Sequence, residues 1–174
     1  LPITSADQVG SKDTEVVGEV FVAPPQTRRA EVRPQQKAAA TFGGQLELVG
    51  FDLSDQTLRP GQELVLTTYW RGLRTVSTDY TISAQILNSS GSLVAQADGQ
   101  PAGGGYPTSL WQAGEYVVDR RVISLPHDLA AGEYSLAVGL YDWPSLNRLP
   151  VSVEGKQIGD LTYLGVLKAV PTSE

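Results

Sequence analysis

Gln62-Glu63-Leu64-Val65-Leu66-Thr67-Thr68-Tyr69-Trp70-Arg71 is the stretch that decides the fold. Successive side chains of an extended strand point to opposite faces, so Leu64, Leu66, Thr68 and Trp70 share one side. Val65, Thr67, Tyr69 and Arg71 share the other. Asp79 to Leu87 repeats the device, with Tyr80, Ile82, Ala84 and Ile86 on one face and Thr81, Ser83 and Gln85 opposite. One apolar and one polar face per strand predicts antiparallel sheets that are half exposed to water.

Working outward, the same rhythm recurs between turn signals. Leu46 to Leu53 is followed by Ser54-Asp55 and Arg59-Pro60-Gly61. Asn88-Ser89-Ser90-Gly91 reads as a hairpin turn, because Asn and Gly tolerate positive φ. A Gly/Pro-rich loop spans Asp98 to Gly114. Strand character resumes at Glu115 to Leu125, where Tyr116, Val118 and Val122 share a face. Glu133 to Asp142 buries Tyr134, Leu136, Val138 and Leu140, and Arg148 to Val153 and Gln157 to Val170 complete the set.

Eight or nine strands and no helix predict an all-β fold, a two-sheet antiparallel β-sandwich of the immunoglobulin/fibronectin-like kind. Residues 1–14 read as a linker or fraying terminus, and 15–171 as a single domain. Within it, 15–23 reads as a first strand, 24–41 as an irregular connector and 42–171 as the main sandwich.

At 174 residues the chain is long enough to bury a core without a covalent staple. It has no cysteine, which excludes disulfides, thiolate metal sites and cysteine nucleophiles. Its formal net charge is −6, and Arg28, Arg29 and Arg33 are the nearest thing to a basic cluster. Nucleic-acid binding is not expected without a basic stripe. No stretch reaches the ~20 apolar residues that span a bilayer as a helix. The absence of methionine makes a processed or excised piece of a longer protein the expectation.

The motifs that carry chemistry are sparse. Gly103-Gly104-Gly105 lacks the lysine and following helix of a phosphate loop and reads as a turn. His127 is the sole histidine, in a Leu-Pro-His-Asp-Leu turn with no Gly-x-Ser-x-Gly elsewhere. Asp52, Asp55, Asp98, Asp119 and Asp142 lie near expected strand ends, where acids make turns and keep edges soluble. No Asp-x-Asp-x-Asp-Gly calcium loop is present. Asn88-Ser89-Ser90 matches an N-glycosylation acceptor and is read as the hairpin turn. No catalytic residue, metal or cofactor is therefore expected.

An ordered set of segments resembles a known family. It runs from Leu48-Val49-Gly50-Phe51-Asp52-Leu53 through Leu58-Arg59-Pro60-Gly61-Gln62 and Tyr69-Trp70-Arg71-Gly72-Leu73. It continues through Tyr106-Pro107-Thr108-Ser109-Leu110-Trp111 and Gly132-Glu133-Tyr134 to Val138-Gly139-Leu140-Tyr141-Asp142 and Arg148-Leu149-Pro150. Over about residues 42–153 this order resembles the soluble C-terminal β-sandwich domain of bacterial, Chloroflexus-like, multi-pass membrane glycosyltransferases similar to protein mannosyltransferases. The resemblance implies a non-catalytic, extracytoplasmic appendage attached to a membrane enzyme, and it carries over no catalytic residue.

The aromatics provide the remaining functional signal. Trp70 belongs to the core face of its strand. Tyr106, Trp111, Tyr141 and Trp143 lie in or beside Gly/Pro-rich loops, where exposed rings stack on sugars or enter protein pockets. The competing reading folds Trp111 back as a lid over an open end of the sandwich. The expected function is an accessory domain recognising a sugar or lipid-linked sugar, with Tyr106, Trp111, Tyr141 and Trp143 as ligand-binding candidates. The expected partners are carbohydrate or the membrane part of the parent enzyme. The alternative is a structural or protein-interaction module, and a small hydrolase using His127 or an acidic pair ranks third.

Overall fold

The computed structural model describes residues 27–28 and 32–171. The expected terminus at 1–14 and strand at 15–23 lie outside the described residues. In chain order the strands are β1 (Thr27–Arg28), β2 (Gln36–Phe42), β3 (Leu46–Leu53), β4 (Thr57–Leu58), β5 (Glu63–Gly72) and β6 (Tyr80–Leu87). They continue with β7 (Leu93–Gly99), β8 (Tyr116–Ser124), β9 (Gly132–Asp142), β10 (Val151–Val153), β11 (Lys156–Gly159) and β12 (Thr162–Ala169). These exceed the expected eight or nine, partly because β1 and β4 are only two residues long.

Two sheets face one another. One has the order β1-β8-β5-β3-β2-β10-β11 and the other β4-β12-β9-β6-β7. Every pairing is antiparallel except the short parallel contact of β4 with β12. The architecture is the two-sheet sandwich that the alternation predicts.

β5 shows why. Leu64, Leu66, Thr68 and Trp70 are buried, and the residues between them are half-buried or exposed. Trp70 packs against Phe42 with ring centroids 5.3 Å apart, and its indole N–H donates to Thr68 Oγ1 at 2.8 Å. The single polar residue on that face therefore satisfies the single polar atom of the buried indole. β9 likewise buries Tyr134, Leu136, Val138 and Leu140.

β2 and β3 form a hairpin around Gly43-Gly44, with φ of 56° and 62°. Two consecutive left-handed residues give the turn whose twist matches the flanking strands, and glycine adopts them without strain. Gly50 sits at a bulge between β3 and its neighbours, where a Cβ would run into Pro34 and the Gln36 carbonyl.

Three expectations need correction. Residues 24–41 are not all connector, because Gln36–Phe42 is a full strand of the larger sheet. Gln157–Val170 is not one strand: β11 belongs to the larger sheet and β12 to the smaller, with the chain crossing at Asp160-Leu161. Finally, Thr81 and Ser83 on the polar face of β6 are buried rather than open to water.

On β8, Tyr116, Val118 and Val122 share one face as expected, the outward one, and Val117, Asp119, Arg121 and Ile123 are buried. Asp119 and Arg121 face the interior as an ion pair, with Nε 2.8 Å from Oδ2 but off the line a hydrogen bond needs. Asp119 accepts the Ala102 amide at 2.9 Å, and Arg121 donates to the carbonyl of Gly99 at 2.7 Å. Burial raises the Asp119 carboxyl above the usual carboxylate range, against the pull of Arg121. The pair thus ties the start of the long loop to the larger sheet.

Candidate functional site

The four aromatics expected to meet a ligand separate into two pairs. Tyr106 and Trp111 are buried in the 100–115 loop, with Trp111 only 1% exposed. The Trp111 indole donates to the Tyr106 carbonyl at 3.0 Å, and the Tyr106 hydroxyl donates to the Glu115 carboxylate at 3.0 Å. Burial and that carboxylate push the Tyr106 phenol up to about 12. Thr108, wholly buried between them, donates to the Thr78 carbonyl at 2.7 Å and accepts the Tyr80 amide at 2.8 Å. The loop is therefore a fastened lid over one end of the sandwich, and neither ring offers a face to a ligand.

Tyr141 and Trp143 stand outside. Trp143 is 66% exposed. It projects from the turn between β9 and β10, which is held shut by several short bonds. The Leu146 amide donates to the Asp142 carbonyl at 2.7 Å, and the Ser145 hydroxyl donates to the Asp142 carboxylate at 2.8 Å. An exposed indole on a braced turn loses little freedom when a ligand stacks on it.

Tyr141 opens onto the outer face of the smaller sheet, and the strand register maps that face. Thr81, Tyr141 and Arg148 lie side by side, then Asp98, Ser83 and Gly139. The next row is Gln96, Gln85, Ala137 and Tyr163. Small residues thus form the middle of the face, and Ser83, Gly139 and Ala137 are buried beneath their larger neighbours. A Cβ on Gly139 would lie 2.7 Å from Leu161 Cδ2 and closer still to Arg148 Nη1, so the glycine makes room for Arg148 to lie flat.

The polar groups here are interlinked. The Arg148 guanidinium sits 5.7 Å from the Tyr141 ring centroid, and its Nη1 is buried with no hydrogen-bond partner. Burial first, and then the nearby Asp98 carboxylate, raise the Tyr141 phenol above its usual range. Gln85 donates to the Ser83 hydroxyl at 3.1 Å. Tyr163, 63% exposed, adds a second open ring. The face combines carboxylate, guanidinium, hydroxyl and amide groups with aromatic rings, a set able to bind hydroxyl-rich molecules.

The other candidates are occupied structurally. His127 is exposed in its turn, against Gly61. Asp52 accepts the Tyr69 hydroxyl at 2.6 Å, Asp55 accepts the Thr57 amide at 2.8 Å, and Asp119 is buried mid-strand rather than at a strand end. Among the described residues no group of three or more His, Cys, Asp and Glu converges as a metal site. A cleft of about 110 Å³ between the sheets, lined by Leu53, Leu136, Leu164 and Leu167, is too small for a sugar ring with its contacts.

Sequence reasoning missed Tyr163, Asp98 and Arg148 as neighbours. The signal for Tyr163 was its place between Thr162 and Leu164, on the outward phase of a strand whose neighbours turn inward. No linear signal brings the three together, because the cross-strand register does that.

No protein-family model matches the chain, and no curated protein matches it. Among solved structures, the chain is similar to the C-terminal domain of Wzt, with TM-score 0.54 and 16% identity over 82% of this chain and 83% of that one. A looser likeness, TM-score 0.42 and 9% identity, links it to the CARDB domain of the PF1109 protein from Pyrococcus furiosus. That match covers 82% of this chain and 97% of the other. The first likeness establishes a shared β-sandwich fold.

Proposed function

We propose that this chain is a non-catalytic accessory domain that recognises carbohydrate, carried outside the cytoplasm by a membrane glycosyltransferase. The observation that carries the reading is Trp143, an indole held in solvent by a hydrogen-bonded turn beside a face of polar groups. Exposing so large an apolar ring has a cost in free energy, which a stacking ligand recovers. Sugars present an apolar ring face and a rim of hydroxyls, and the indole and the polar face match these in turn. The same sandwich serves as a C-terminal domain in Wzt, which accords with an accessory role. The glycosyltransferase context rests on the ordered sequence resemblance.

A glycan array probed with the domain and with Trp143→Ala tests the proposal. Specific binding that falls about tenfold or more in the variant supports it. Binding to no glycan overturns it.

A second reading draws on Leu110 and Leu146, which are also exposed on loops. Apolar loop tips suit a protein partner as well. On that reading the domain docks against its parent enzyme and ignores free sugars, so the array separates the two.

A further inference from the structure

We infer that the end of the sandwich carrying Trp143 rests on a lipid bilayer, with Leu110, Leu146 and Trp143 entering the headgroup region. The inference goes beyond carbohydrate recognition and does not depend on it.

Strand pairing fixes which loops share an end. β5 finishes at Gly72, β6 begins at Tyr80, β8 begins at Tyr116 and β9 finishes at Asp142. Tyr80 is paired with Asp142, and Arg71 with Tyr116. The Thr108 hydroxyl accepts the Tyr80 amide at 2.8 Å, and the Asp79 carboxylate accepts the Ser109 amide at 3.2 Å. The Leu73 amide donates to the Gln45 carbonyl at 2.9 Å, which brings in the β2–β3 turn. Residues 43–45, 73–79, 100–115 and 143–150 therefore cap one end of the sandwich, and 54–62, 88–92 and 125–131 cap the other.

The two ends differ in what they show to solvent. Leu73, Leu110, Trp143 and Leu146 are exposed at the first, the last three by more than half. At the other end the large apolar residues, Leu58, Leu125 and Leu129, are all buried. Leu146 also holds a left-handed φ of 61°, which strains leucine and which glycine or asparagine takes more readily. Its side chain stands in solvent, so packing within the fold does not account for a leucine there.

A bilayer fits this end better than a protein groove does. The apolar tips stand on separate loops with exposed Thr75, Ser77, Gln112 and Ser145 among them. Protein anchors instead cluster in one dry, closely matched patch. The interfacial layer of a bilayer takes apolar tips toward its acyl chains and leaves hydroxyls and amides hydrated, and indoles favour that level. Exposed Arg74 follows Leu73 directly, which sets a cation beside an apolar tip, where lipid phosphates lie. The acids here are held by the fold: Asp79 accepts from Ser109, Glu115 from Tyr106 and Asp142 from Ser145. An indole at headgroup level stays within reach of sugars carried on lipid, so Trp143 serves both uses.

The test is co-sedimentation of the whole chain with vesicles of phosphatidylcholine and phosphatidylglycerol, which carry no sugar, with tryptophan emission as a second readout. Wild type is compared with Leu110→Ser/Leu146→Asn and with Leu93→Ser/Val166→Ser, a control pair of exposed strand residues outside these loops. Wild type is expected to bind with a blue shift from Trp143, and Leu110→Ser/Leu146→Asn to bind about tenfold or more weakly. The control pair is expected to bind as wild type does. Both double variants are expected to melt close to wild type, since every substituted side chain is exposed. Wild type that stays in the supernatant overturns the inference and returns these tips to a protein partner. Equal loss in the two double variants also overturns it, and binding without the blue shift overturns the placement of Trp143. Vesicle binding together with no binding to any free glycan leaves the inference standing and overturns the carbohydrate reading instead.

Discussion

At the residue scale, the most informative pair is Asp119 and Arg121. Hydrophobic alternation is the signal that identifies a buried face, and here two charges occupy that face of β8. That is why Val118 and Val122, on the outward phase, mimic a core stripe in the sequence. Removing one member of a buried pair leaves the other charge without compensation, so Asp119→Asn is expected to destabilise the fold by about 3 kcal/mol. Replacing both with apolar residues recovers most of that loss, as urea denaturation of the single and double variants will show. Tyr69 makes a second prediction. Its hydroxyl donates to Asp52, and this bond, followed by burial, pushes the phenol up to about 12. A phenol raised above its unfolded value of about 10 contributes stability that is complete below pH 10 and lost as pH climbs to 12. Between pH 10 and 12 the wild type is thus expected to lose stability more steeply than Tyr69→Phe in alkaline denaturation.

At the element scale, the strands with clean alternation were legible in the sequence, and those compromised by small or polar residues were not. β5 and β9 matched face for face. β2 escaped notice because its inward residues toward the start are alanines set among Gln36 and Lys37, so its apolar stripe is faint until Phe42. The buried polar side of β6 was illegible for a different reason: Tyr141, Asp98 and Arg148 cover it from other strands. In the long loop the reading of Trp111 as a lid matches the structure, and what the sequence did not give is its fastening by Thr108 and Tyr106. Trp111→Ala is accordingly expected to cost about 3–5 kcal/mol by cavity formation, measured by thermal or urea unfolding. Thr108→Val, which keeps shape and removes two hydrogen bonds, is expected to raise the hydrogen-exchange rate of the Tyr80 amide.

At the scale of the whole molecule, the sandwich brings together on one face residues from β6, β7, β9 and β12 that lie far apart in the chain. Trp143 was visible in the sequence because its turn carries the signals of an exposed loop. Tyr163, Asp98 and Arg148 became neighbours only through the pairing of four strands. Carbohydrate recognition requires that sugar cover Trp143, and the molecule carries its own reporter. Of its three tryptophans, Trp70 and Trp111 are buried and Trp143 is 66% exposed. The most direct measurement is iodide quenching of tryptophan emission with and without a neutral hexose oligosaccharide. Iodide is expected to quench Trp143 in the free domain, and saturating glycan to protect it. Quenching that every glycan leaves unchanged would rule out carbohydrate recognition through Trp143.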